Sequence, residues 1–151
     1  MPPPPGPARR RPDVELFTEV GIIQQLSNAA LERALPDGLS AAGFGVLSHF
    51  VRLGREESPA RLAKAFQVTK GAMTNTLQRL EAAGLVATRG DEADGRRKLV
   101  SLTPAGAVAY EDGLVRLKPR MDGLRSAFSE AEFEAALPFL RALRGWLDQN
   151  R

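Results

Sequence analysis

The chain has 151 residues, 43% of them hydrophobic and 26% charged, a length and balance that suit one compact domain or one module with an extension. It holds no cysteine and one histidine, His49. That excludes disulfide stapling, thiolate catalysis, thiol redox sensing and cysteine-based zinc sites, leaves no histidine-rich metal cluster, and argues against histidine-centred triads. The 21 Lys and Arg against 18 Asp and Glu leave a net charge of only +3, too small to indicate nucleic acid by total charge, so what matters is where the charge sits.

Six of the first twelve residues are proline, and with Gly6, Arg9, Arg10 and Arg11 the segment 1–12 reads as a disordered basic tail. It lacks the apolar core of a signal peptide, and no later stretch approaches the roughly 18 uninterrupted apolar residues of a membrane span, so a soluble protein is expected. Residues 13–53 hold two basic and five acidic residues, residues 54–103 nine and six, and residues 104–151 seven of each. The folded surplus of positive charge therefore lies in the middle third, where a phosphate-bearing partner would dock.

Between Val14 and Leu35, apolar residues recur at Leu16, Val20, Ile23, Leu26, Ala30, Leu31 and Ala34, spacings of three and four that predict a helix ended by Pro36, Asp37 and Gly38. Ser40 reads as the N-cap of a second helix that runs to about Leu53, with Phe44, Leu47, Phe50 and Val51 inward and Gly54 as its stop. Ser58 followed by Pro59 opens a short third helix through Leu62, Ala63 and Phe66. Thr69 caps a fourth, Lys70 to Ala83, stopped by Gly84. The period then changes to alternation: Leu85 to Arg89 and Lys98 to Leu102 read as a β-hairpin with a long charged tip. Thr103 and Pro104 open a fifth helix to about Ser126, in which Ala109, Leu114, Leu117, Met121 and Leu124 carry the apolar spacing and Pro119 predicts a kink. Ser129 and Glu132 form a capping box for a last helix through Phe133, Leu137, Leu140, Leu143 and Leu147, with a further distortion expected at Pro138.

The expected fold is therefore mainly α with a small β-hairpin wing. Three helices followed by a hairpin is the order of a winged helix-turn-helix, which places one helix in the DNA major groove. On the Thr69–Ala83 helix, Met73, Leu77, Leu80 and Gly84 share one face. Gly71, Asn75, Gln78 and Arg79 lie opposite, with Lys70, Ala72 and Thr74 nearer the margins. Asn and Gln can bond adenine bidentately, cations meet phosphates, and small Gly71 and Ala72 let the helix start approach a backbone closely. A polar face is also what any surface helix shows. At the hairpin tip Arg96, Arg97 and Lys98 stand in sequence, and arginine suits a narrow minor groove, although a solvated turn would look similar in isolation. Asp94 either pairs with Arg96 and orients its guanidinium or simply forms the turn before Gly95.

Taken together, the run from Val68 to Val86 with its Arg79-Leu80-Glu81-Ala82-Ala83-Gly84-Leu85-Val86 end, the Asp94-Gly95-Arg96-Arg97 tip, and Leu102-Thr103-Pro104-Ala105-Gly106 resemble the MarR (multiple antibiotic resistance regulator) transcription factors. In element order the resemblance spans residues 13–150, with its specific motifs between about 58 and 106. It departs at Gly95, where the family often has another arginine, and in the Pro/Arg tail. The resemblance implies a cytoplasmic bacterial homodimer with a winged helix-turn-helix lobe over 38–103 and dimerisation helices over 13–37 and 104–151. The recognition helix is 69–83 and the wing 85–102, and DNA contacts fall to Thr69, Lys70, Gly71, Ala72, Thr74, Asn75, Gln78, Arg79, Arg96, Arg97 and Lys98, with Asp94 orienting the wing. A two-fold dimer predicts a pseudo-palindromic operator with half-sites about 10 base pairs apart. The apolar surface of Phe128, Phe133, Phe139, Leu143, Trp146 and Leu147 fits such an interface, intramolecular core being the plainer alternative for some of it.

By the same resemblance a small aromatic or phenolic anion would act as effector. His49 and Arg52 are the side chains that could meet its carboxylate, against the plainer alternative of a structural or solvated histidine. The family's thiol-based peroxide sensing is excluded by the lack of cysteine. No cofactor or metal is expected. The rival from another class is a winged-helix protein-interaction module without sequence-specific DNA binding. An enzyme fits least, since no acid/base pair, nucleophile-base motif or phosphate-cradling glycine loop is present.

Overall fold

A computed structural model describes residues 10–150, so the expectation of disorder over the first nine residues falls outside it. The elements follow in the order α1 (Pro12–Ala34), α2 (Ala41–Leu53), α3 (Pro59–Phe66), α4 (Lys70–Ala82), β1 (Val86–Gly90), β2 (Lys98–Leu102), α5 (Pro104–Ala127) and α6 (Glu130–Gln149). The mainly α class with one hairpin is thus as expected. Two compact units divide the chain, the first ending at Gly113 and the second starting at Leu114.

Local chemistry sets the boundaries. Ser40 Oγ accepts the Gly43 N–H at 3.0 Å, Ser58 Oγ the Arg61 N–H at 3.3 Å and Thr69 Oγ1 the Ala72 N–H at 3.1 Å, each satisfying a donor that the first helical turn leaves open. Helix α2 stops at Gly54 in the left-handed region (φ 66°), and Gly84 (φ 74°) turns the chain from α4 toward the wing. Gln67 caps α3 in the same left-handed region without being glycine, φ 58°. One detail differs from the sequence reading. Helix α1 starts at Pro12, whose missing N–H and fixed φ suit a first helical position, and Arg10 and Arg11 pair with Glu15 and Asp13 at 3.0 Å each. Helix α5 runs to Ala127 with Pro119 inside it.

The core of the first unit gathers Leu47, Val46 and Phe50 of α2, Leu62 of α3, Met73 and Leu80 of α4, Val86 of β1 and Val100 of β2, all nearly inaccessible to solvent. Val51, expected to point inward, is instead exposed, and Val46 takes its place. The buried arc of α2 centres on Gly43, Leu47 and Phe50, which leaves Val51 at its margin beside the helix end.

The two strands pair antiparallel with Val86 opposite Leu102, Thr88 opposite Val100 and Gly90 opposite Lys98. A third segment adds to β2. The Glu57 N–H donates to Val100 O at 3.0 Å and the Val100 N–H to Glu57 O at 2.9 Å, so the stretch before α3 extends the sheet by one bridge. The base of the hairpin is tied to the start of α5. Thr103 Oγ1 donates to Gly84 O at 2.7 Å and accepts the Gly106 N–H at 3.0 Å. At Gly106 a Cβ would run into the Leu85 carbonyl oxygen, so the Leu-Thr-x-x-Gly stretch needs its glycine for close approach of two backbones.

Candidate nucleic-acid interface

Helix α4 separates its two faces sharply. Met73, Leu77 and Leu80 are buried, whereas Lys70, Gly71, Ala72, Thr74, Asn75, Gln78 and Arg79 are all exposed. The apolar spacing of three and four holds the helix on α2, α3 and β1, and this alone decides which side chains face solvent. Thr69 differs from the rest, because its hydroxyl oxygen already accepts the Ala72 N–H as the helix cap. No atom other than the helix's own lies near the position a Cβ would take at Gly71, so the outer surface of the first turn is open.

Beyond the paired strands the tip is ordered by its own acids. Asp91 Oδ1 accepts the Ala93 N–H at 3.0 Å, and Asp94 Oδ1 accepts the Arg96 N–H at 3.1 Å. The recorded contact of Asp94 with Arg96 is thus the turn-forming one, carboxylate to backbone, with the guanidinium left over. Among the described residues no ion pair involves Arg96, Arg97 or Lys98, and all three are exposed.

Between α3, α4 and the wing lies a cleft of about 570 Å³. Thr74 and Gln78 of α4 line it together with Arg96, Arg97 and Lys98 of the wing and Arg61 of α3. The fold thereby brings two of the helix candidates, Thr74 and Gln78, to one place with the wing candidates, although residues 74 and 96 lie far apart in the chain; Thr69, Lys70, Gly71, Ala72, Asn75 and Arg79 do not line this cleft. Arg61 was not anticipated from the sequence. It reaches Glu57 Oε1 at 3.5 Å, but its side chain remains largely in solvent at the cleft wall.

His49 and Arg52 stand elsewhere. Neither lines the cleft; the His49 ring meets Phe66 edge-on with centroids 5.4 Å apart and Phe50 at 6.2 Å, while Arg52 is exposed. Sequence reasoning also missed three contacts that hold the wing stem. Arg89 Nε and Nη2 donate to Glu56 Oε1 and Oε2 at 2.8 and 2.6 Å, and the Thr88 N–H donates to Glu81 Oε1 at 3.1 Å. The Arg89 guanidinium holds the Glu56 carboxyl below its ordinary range, and Glu56 in turn raises that of Arg89. Partners 33 residues apart leave no local signal; the Glu81 contact spans only seven residues but joins two different elements.

Among the described residues, no group of three or more His, Cys, Asp and Glu is placed to hold a metal ion, and no helix is long and apolar enough to cross a membrane. A search by sequence among curated proteins gives no significant match. A model of the MarR family matches residues 37–97, the segment that holds α2 to the wing tip. Among solved structures, BpsR of Bordetella bronchiseptica, whose DNA binding is regulated by 6-hydroxynicotinic acid, is 27% identical with a TM-score of 0.74, covering 86% of this chain and 98% of that one. Apo MarR of E. coli is also 27% identical, with a TM-score of 0.69, covering 85% and 95%. PcaV of Streptomyces coelicolor, solved with its natural ligand, shares the fold at 17% identity and a TM-score of 0.77, covering 91% and 97%. With the helix-plus-wing geometry in place, residues 37–97 match the MarR family, and the fold as a whole is similar to that of MarR-type winged helix-turn-helix transcriptional regulators.

Proposed function

We propose that the chain regulates transcription as a cytoplasmic homodimer that binds a pseudo-palindromic operator and releases it in response to a small aromatic or phenolic anion. The observation that carries the DNA reading is the shared cleft, with Thr74 and Gln78 on one wall and Arg96, Arg97 and Lys98 on another. In this reading α4 enters the major groove. Asn75 and Gln78 read base edges, Thr69, Lys70 and Arg79 meet phosphates, and Gly71 and Ala72 allow the helix start to come close. Arg96 enters the minor groove, Arg97 and Lys98 hold the flanking backbone, and Asp94 fixes the turn from which they project.

The lobe over 38–103 is then the DNA-binding part, and 13–37 with 104–151 supply the dimer contacts. Ile23 and Leu26 of α1 are 58% and 61% exposed, and Trp146 of α6 is 61% exposed, more apolar surface than a lone chain leaves in water. Two copies related by a two-fold axis would present recognition helices about one DNA turn apart, hence half-sites about 10 base pairs apart. For the effector, the likeness to BpsR supports an aromatic hydroxy acid, with His49 and Arg52 as the side chains that would meet its carboxylate.

The test is selection of bound sequences from a random DNA pool at near-physiological salt, repeated with Arg96→Ala. A palindrome with the stated spacing is expected, and Arg96→Ala should weaken binding to it by about 1 to 3 kcal/mol. Recovery of no consensus, or unchanged affinity in the variant, would defeat the assignment of α4 or of the wing respectively.

A further inference from the structure

The wing is a two-stranded hairpin, a unit that is marginal by itself and must be held by what surrounds it. Its stem is gripped at two successive rungs, with only Gly90 opposite Lys98 between them and the charged tip. At the first rung Thr88 stands opposite Val100. The outer edge of β1 is closed there by the Glu81 carboxylate on the Thr88 N–H at 3.1 Å, and the outer edge of β2 by the two Glu57–Val100 backbone hydrogen bonds at 3.0 and 2.9 Å. At the next rung, Arg89 opposite Leu99, the guanidinium meets the Glu56 carboxylate through two parallel hydrogen bonds at 2.8 and 2.6 Å. One anchor is the recognition helix itself and the other the segment leading into α3, so the wing is fixed to both walls of the cleft.

We propose that Glu56, Arg89 and Glu81 are positioning residues for DNA binding, which set the angle of the wing relative to α4 so that Arg96, Arg97 and Lys98 meet the duplex in register with Asn75 and Gln78. This rests on the DNA reading above. Arg89 is a cation on the wing and invites assignment as a phosphate contact, but each of its three nitrogens already donates within the fold: Nε and Nη2 to Glu56, and Nη1 to the Gly90 carbonyl at 3.1 Å, which uses three of its five N–H groups and neutralises its charge against a carboxylate. The pair is surface-exposed, with side chains 51% and 35% accessible, so it adds little to folding stability and its value lies in geometry. The leverage is large. The tip projects roughly three residues, about 10 Å, beyond Arg89, so a tilt of about 15° at the stem moves it by about 3 Å. That is about half the width of a minor groove of roughly 6 Å.

The sign of one substitution separates this role from plain electrostatics. Glu56→Gln removes a negative charge and releases the Arg89 cation, so charge alone predicts tighter DNA binding. The clamp predicts weaker binding, by about tenfold, with the thermal midpoint nearly unchanged. Glu92→Gln, which removes a carboxylate that acts on Arg89 only through space and makes no hydrogen bond to the stem, serves as the control and should leave affinity equal or higher. In a double-mutant cycle, Arg96→Ala should matter less than about twofold once Glu56→Gln is present, because a misaligned wing has already lost that contact. Reversing the pair, Glu56→Arg with Arg89→Glu, should restore both affinity and the effect of Arg96→Ala.

Tighter operator binding by Glu56→Gln, or additivity in the cycle, overturns the clamp while leaving the wing assignment intact. An Arg96→Ala chain that binds as well as the original overturns the wing assignment itself. Amide exchange over residues 91–97 reports on the clamp without DNA. It should quicken in Glu56→Gln relative to that of α4, and unchanged exchange there rejects the clamp whatever Arg96 does.

Discussion

Helices α4 and α6 carry the same apolar spacing and meet opposite fates. On α4 the residues Met73, Leu77 and Leu80 stand at i, i+4 and i+7, and they are 3%, 6% and 3% exposed. On α6 the residues Phe133, Leu137 and Leu140 stand at the same intervals, and they are 44%, 41% and 41% exposed. Periodicity therefore states that a face requires cover but not whether the cover belongs to the same chain. For α4 the cover is α2, α3 and the hairpin, which leaves its polar face as the one available to an outside partner. Helix α6 has no buried residue within one chain, and its apolar face is the one assigned to a second copy in the proposed dimer.

Charging that face should break the comparison most forcefully. Leu137→Arg together with Leu140→Arg would place two cations in the proposed interface, at about 2 kcal/mol or more each if these are central anchors. Sedimentation velocity should then show the dimer weakened by about a thousandfold, the factor that about 4 kcal/mol represents. A dimer that persists at the same concentration would mean that α6 is covered by something else.

The corresponding test on α4 should leave assembly untouched. Asn75→Ala removes an exposed amide that makes no contact needed for packing, so stability should stay within about 0.5 kcal/mol. Preference at one base pair in each half-site should relax by about 1 to 3 kcal/mol, seen as a flattened position in the selected consensus. If every sequence is weakened equally, Asn75 touches only phosphate and base reading falls to Gln78 and Thr74.

What the sequence discloses follows from the range of the interactions. Ser40, Ser58, Thr69 and Ser129 were legible as caps because a cap is decided within three residues, and the two faces of α4 because a helix repeats every 3.6. The Glu56–Arg89 pair and the Glu57–Val100 bridge were not, since each joins segments that only the tertiary fold brings together. Asp94 was legible as a turn former, yet whether its carboxylate meets a guanidinium or a backbone N–H depends on the path of the tip. Pro119 was legible as a local distortion rather than an end, because its missing N–H leaves one carbonyl without its helical partner while the residues on both sides keep the helical spacing, and α5 does run through it.

The smallest expected difference between the two helices lies in their first turns. Thr69 caps α4 with a hydroxyl, and no acid stands in that turn. Helix α6 starts with a reciprocal box: Ser129 Oγ accepts the Glu132 N–H at 3.3 Å, and the Ser129 N–H donates to Glu132 Oε2 at 2.8 Å. The backbone and then the hydroxyl of Ser129 hold the Glu132 carboxyl below its ordinary value of 4.5. A carboxyl depressed in the folded state stabilises that state fully above the ordinary value and loses its contribution as pH falls through the depressed one. Acid titration followed by amide resonances should thus loosen Ser129 and the first turn of α6 below pH 4.5, with the first turn of α4 unmoved over the same range. Glu132→Gln keeps an acceptor for the Ser129 N–H but cannot titrate, so it should abolish the transition at α6. A transition of equal size at Thr69, or one that survives in Glu132→Gln, would place its origin in the unit as a whole rather than in the cap.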